Sequence, residues 1–76
     1  MKLTPGEYCR FSLSGRIALL HQYGKFICSR LVHSKKILVY KLYDFYVEVI
    51  KDLVKNTVLE ANPVWSRDML EFLISL

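Results

Sequence analysis

The longest apolar stretch of the chain is residues 37–50, ILVYKLYDFYVEVI, and it reads as two strands folding back on each other. The runs 37–42 and 45–50 are rich in β-branched and aromatic residues, which suit a pleated surface. Tyr43-Asp44 between them is short enough for a two-residue hairpin turn, although Asn-Gly is the commoner pair. That turn sets Leu42 against Phe45, Tyr40 against Val47 and Leu38 against Val49, an entirely apolar face. The other face sets Lys41 against Tyr46, Val39 against Glu48 and Ile37 against Ile50. A slip of one residue would carry Lys41 or Glu48 into the core, so the register is firmly specified.

Upstream, Thr4-Pro5-Gly6-Glu7 has the form of a capping box with proline at the first helical position. Ser12 offers a second N-cap. Leu13, Ile17 and Leu20 then fall at i, i+4, i+7, with Arg16, His21 and Gln22 off that stripe, which predicts an amphipathic helix. Gly24 ends it, supplying a left-handed conformation. The alternation over 25–32 predicts a strand. A four-residue loop, His33-Ser34-Lys35-Lys36, would pair it with the next strand: Leu31 with Leu38, Ser29 with Tyr40, Ile27 with Leu42. This gives an antiparallel meander. Residues 51–56 form a connection, and Thr57 to Ala61 a fourth short strand ended by Asn62-Pro63. Ser66 then caps a last helix, Arg67 to Ile74, with Leu70, Leu73 and Ile74 as its stripe. The expected fold is a single α+β domain over 1–76, two-layered, of order αββββα, with a sheet of three to four strands.

An apolar fraction of 53% in 76 residues argues against disorder and exceeds what one small core needs, which points to self-association. Lys41, Asp44 and Glu48 break the apolar run well short of the roughly 20 residues of a membrane span. The first residues contain no apolar signal segment, so a cytoplasmic location is expected. Cys9 and Cys28 are too few for a secreted disulfide scaffold, and reduced, mostly buried thiols are expected. Charge is uneven along the chain. Up to Leu42 there are eight bases and one acid; from Tyr43 onward there are three bases and six acids.

The short helix ending in glycine, the strand-like Phe26-Ile27-Cys28-Ser29-Arg30, the segment Leu38-Val39-Tyr40-Lys41-Leu42 and Phe45-Tyr46-Val47-Glu48-Val49 together resemble a group of small bacterial proteins of unknown function. The tail Leu70-Glu71-Phe72-Leu73-Ile74 is similar to their C-terminal segments. The resemblance implies a helix, a meander and a closing helix, and brings no activity with it.

Candidate chemistry is sparse. Cys9, Cys28, His21 and His33 are zinc-ligand types, but no two have the close spacing of a zinc site. No nucleophile elbow or phosphate-cradling glycine loop is present, so neither catalysis nor a cofactor, metal or small-molecule substrate is expected. The solvent-side sheet face, in contrast, is too apolar for water alone. Phe26, Arg30, Val32, Ile37, Val39, Lys41, Tyr46, Glu48 and Ile50 are read as an interface for a protein partner or a second copy of the chain. In this register Arg30 and Glu48 flank Val39. The alternative is a surface for single-stranded RNA made by Lys25, Arg30, Lys35, Lys36, Lys41, Tyr43 and Tyr46, where bases could stack between cations.

Overall fold

The computed structural model describes residues 2–64, and the expected C-terminal helix, with Asp68 and Glu71, lies outside them. Two helices, α1 (Pro5–Tyr8) and α2 (Leu13–Tyr23), precede four strands: β1 (Lys25–Val32), β2 (Lys35–Leu42), β3 (Phe45–Asp52) and β4 (Thr57–Val64). The strands form one antiparallel meander in the order β1-β2-β3-β4. The fold is α+β, as expected, with all four of the expected strands in one sheet.

The capping box closes α1 as anticipated: Glu7 N–H donates to Thr4 Oγ1 at 3.2 Å, and Thr4 N–H donates to Glu7 Oε1 at 2.9 Å. The bond from Thr4 N–H, with the Thr4 hydroxyl beside it, holds the Glu7 carboxyl below its ordinary range. Ser12 caps α2 by accepting from Gly15 N–H at 3.2 Å. Gly24 ends α2 for a different reason from the expected one. Its φ is −77°, ordinary extended backbone, but a Cβ there would stand 2.6 Å from the Leu20 carbonyl oxygen. The need is for close approach, not for left-handed backbone.

The β2–β3 register is the one the apolar pattern dictates, from Leu42↔Phe45 through Val39↔Glu48 to Ile37↔Ile50. Tyr43 takes φ 55°, a left-handed conformation that is costly for a bulky residue. Its ring packs against the core and lies 5.9 Å from the Tyr23 ring, which helps to hold the turn. Tyr43 therefore belongs to the inner, helix-covered side and not to an RNA-facing surface.

The first hairpin departs from expectation. His33, at φ 57°, and Ser34 make a two-residue turn, so Lys35 and Lys36 join β2. Leu31 then faces Lys36, Ser29 faces Leu38 and Arg30 faces Ile37, a shift of two residues from the expected pairing. An even shift keeps each side chain on its face, which is why the apolar pattern could not reveal it. A bulge at Ile27 inverts what precedes it. Phe26 sits opposite Tyr40 on the inner face, their rings 5.6 Å apart edge to face, and not on the outer face.

At the other end, Lys51 and Asp52 extend β3, and a turn over 53–56 leads to β4. Asp52 Oδ1 accepts from Val54 N–H at 2.9 Å and Lys55 N–H at 3.1 Å, while Asn56 absorbs a φ of 55°. The fourth strand runs on to Val64. Pro63 does not end it but pairs opposite Val47, which an edge strand tolerates.

The core lies between α2 and the inner face. Leu20 joins Leu42, Phe45, Val47, Val49 and Ala61, all buried, and Tyr8 of α1 plugs the Phe45 end with its ring 5.7 Å away. Leu13, expected on the buried stripe, is exposed. Truncation at alternate positions of β2 should separate the faces. Leu42→Ala should cost about 2–5 kcal/mol, because the side chain is fully buried. Lys41→Ala should stay within about 0.5 kcal/mol of wild type in urea unfolding.

Candidate functional site

The acids of the sheet lie on one face, beside Lys25, Arg30, Lys35 and Lys41. Alternation from the observed register sends Glu48, Asp52 and Glu60, the acids of the four strands, to the outer face. The charged strand residues of the inner face are Lys36 and Lys51. Within residues 25–42, the first hairpin, there are five cations and no acid. Beyond that hairpin the signs are mixed: Lys2 pairs with Asp44, Lys35 stands directly opposite Asp52, and Arg16 shares a cavity wall with Glu48 and Glu60.

The outer face gathers Arg30, Val32, Ile37, Val39, Lys41, Tyr46, Glu48 and Ile50, as expected, but without Phe26. Val39 at its centre is 1% exposed, although α1 and α2 pack on the other face. Most of its neighbours are half-buried, and Lys41 is exposed with its Nζ 5.9 Å from the Tyr46 ring centre. Because β1 is shifted, Arg30 does not flank Val39 together with Glu48; Cys28 occupies the position beside Val39. Arg30 Nε and Nη1 are buried with no hydrogen-bond partner among the described residues. Burial raises the Glu48 carboxyl above its ordinary range, and the nearby Glu60 adds to the effect.

Arg16, read from sequence as a solvent-side residue of α2, is a tie between elements. It donates to Cys9 O at 2.8 Å, Phe11 O at 3.0 Å and Asn62 Oδ1 at 3.0 Å, and lies 5.7 Å over the Tyr8 ring. A weaker bond of 3.4 Å reaches Ala61 O on β4. Burial pushes the Tyr8 hydroxyl up to about 12, against the pull of Arg16. No sequence motif announces Arg16; only its place one residue before Ile17, at the margin of the apolar stripe, hints at it.

The expected zinc-ligand types are dispersed. His21 and His33 are exposed, Cys28 is half-buried, and Cys9 is exposed rather than buried. Both thiols are free. A cavity of ≈ 430 Å³ beside β4 brings Cys9 near Arg16, Glu48, Glu60 and Asn62, without a histidine in its wall. A second cavity, ≈ 210 Å³, lies under α2 between Ile17, Leu20, Leu38, Tyr40 and Val49, and is smaller than the roughly 300–1,000 Å³ of ligand pockets.

The inner face is covered unevenly. Helix α2 packs over β2 to β4 and leaves β1 bare. Leu31 is 67% exposed, Phe26 52% and Ile27 38%. These three apolar side chains make the most exposed apolar group on the sheet; Lys36 shares the inner face with them, while Lys25 and Lys35 stand on the outer face of the same hairpin. The loop residues Leu53 and Val54 are exposed too, in the β3–β4 turn, where Leu53 N–H donates to Ser34 O of the β1–β2 turn at 2.9 Å.

No protein family, curated protein or solved structure matches this chain. No helix among the described residues is long and apolar enough to cross a membrane.

The state of Glu48 has a measurable consequence. Just above pH 4.5, its ordinary value, the unfolded carboxyl is ionised while the folded one keeps its proton. The folded state then binds more protons, so this group's contribution to stability falls as pH rises through that window. Glu48→Gln should melt higher than wild type at neutral pH, and the gap should close below about pH 4. A gap that does not change with pH in thermal melts would contradict this state of the carboxyl.

Proposed function

We propose that this chain is a small, non-catalytic protein-interaction module that docks partners through its first hairpin. The observation that supports this best is the exposure of Leu31, Phe26 and Ile27 on one edge strand. Together these side chains expose an apolar area for which a solvated strand has no use. Burying side chains of this size is worth about 1.5–3 kcal/mol each when complete. A few such anchors are enough for the centre of an interface. The cations of the same hairpin, Lys36 beside the apolar group and the others on the outer face, steer the partner without entering the apolar centre.

A second copy of the chain docking through the outer face remains a form of the same reading. Val32, Ile37 and Ile50 are half-buried there, and Val39 has little surface left to contribute. Single-stranded nucleic acid is the competing reading. It is favoured by five cations without an acid between Lys25 and Leu42, and by Tyr46 beside Lys41. It is weakened by Glu48 on the same face and by Tyr43 packing toward the core.

Selection of short random peptides displayed on phage, with counter-selection on the double variant Phe26→Ser/Leu31→Lys, separates these readings. Both positions are exposed, so the variant should remain folded by circular dichroism. Peptides enriched on wild type should bind the variant at least about tenfold more weakly, a difference of about 1.4 kcal/mol. Failure to enrich any peptide, together with polyU binding that weakens steeply with salt, would replace the proposal with the nucleic-acid reading.

A further inference from the structure

The two edges of the sheet differ in a way that specifies a mode of docking. A free edge offers unpaired N–H and C=O groups to any extended chain, and proteins usually block it. On β4 the block is visible. Pro63 has no N–H to offer, and Arg16 reaches Ala61 O and the Asn62 side chain. On β1, among the described residues, the only comparable device is the bulge at Ile27, near the beginning of the strand. From Cys28 to Val32 pairing with β2 is regular, and among the described residues no strand lies along the outer edge of β1.

We infer that the free edge of β1 accepts an extended acidic peptide as a fifth strand, with alternate side chains sorted between the two faces. This rests on the interaction-module reading and names the partner chemistry for that site. An added strand places its side chains alternately up and down beside those of β1. On the inner face they meet Phe26 and Leu31, so the matching residues are apolar. On the outer face they stand beside Lys25 and Arg30, so the matching residues are acidic. Lys35 and Lys41, on the outer face of the neighbouring strand, extend the same positive field.

Charge also selects against a second copy at this edge. Two β1 strands side by side would bring Lys25 and Arg30 of each chain together with no acid to separate them. Like charges across a ladder are destabilising, whereas an acidic strand satisfies both charge and hydrogen bonding.

The test uses the full chain and a blocked, fluorescent peptide as long as β1 that alternates valine and glutamate. Its control alternates valine and lysine. The acidic peptide should bind by anisotropy, and hydrogen exchange of the bound protein should slow at amides of Cys28 to Val32. Lys25→Glu/Lys41→Glu, both exposed on the outer face, should weaken binding at least about tenfold. Equal binding of the lysine peptide would overturn the inference, as would acidic binding with no new protection in β1. Protection of β1 that rises with protein concentration alone would overturn it in favour of self-pairing. The same protection produced by polyU would overturn it in favour of nucleic acid. If phage selection yields peptides that depend on Phe26 and Leu31 but are neither acidic nor protective of β1, the interaction reading stands and this inference fails.

Discussion

The pairing of Leu42 with Phe45 across Tyr43-Asp44 is the constraint on which the other elements depend. It puts Leu42, Val47 and Val49 on one face, where Leu20 and Tyr8 close over them. Each fully buried side chain of this kind contributes about 1.5–3 kcal/mol, so a register error would forfeit several at once. A slip by one residue would also bury Lys41 or Glu48. The left-handed Tyr43 is tolerated because the same side chain packs against the core and Tyr23. Both remaining strands are built outward from this hairpin, β1 on β2 and β4 on β3.

Uneven covering follows from that arrangement. A helix of 11 residues is about 16 Å long and cannot span a four-stranded sheet in both directions. It lies over the central pair and β4, where Arg16 fastens it to Asn62 and to the backbone around α1. The strand left bare is the one richest in exposed apolar groups, in the hairpin that carries cations and no acid. Among the described residues, apolar exposure, a regular edge without a neighbouring strand and charge of one sign thus coincide on β1. That coincidence is the physical ground for reading the hairpin as a docking element.

Alternation and turn length made the central hairpin legible in the sequence down to individual pairs, because a slip of one residue buries a charge and the two-residue turn disfavours a slip of two. The caps at Thr4 and Ser12 were equally legible, being local hydrogen-bonding patterns. For β1 the same reasoning was degenerate: a shift of two residues leaves alternation intact, and the bulge at Ile27 has no compositional signal. Phe26 consequently changed faces. Pro63 misled because a proline ends a central strand but is admissible on an edge, and edge position is a property of the whole sheet. Arg16 was hidden since its partners are backbone carbonyls and an asparagine distant in sequence. The exposure of Leu31 was invisible for a similar reason: alternation assigns a face but does not say whether a helix covers it.

Native-state hydrogen exchange tests most directly the claim that the β2–β3 hairpin is the structural centre and β1 its loosely held margin. Amides bonded between β2 and β3 should exchange only through global unfolding, with opening free energies equal to the stability from urea melts. Amides that bond β1 to β2 should open through a smaller, local event, because few buried apolar contacts hold that strand. Protection in β1 equal to that at Val47 would contradict the account.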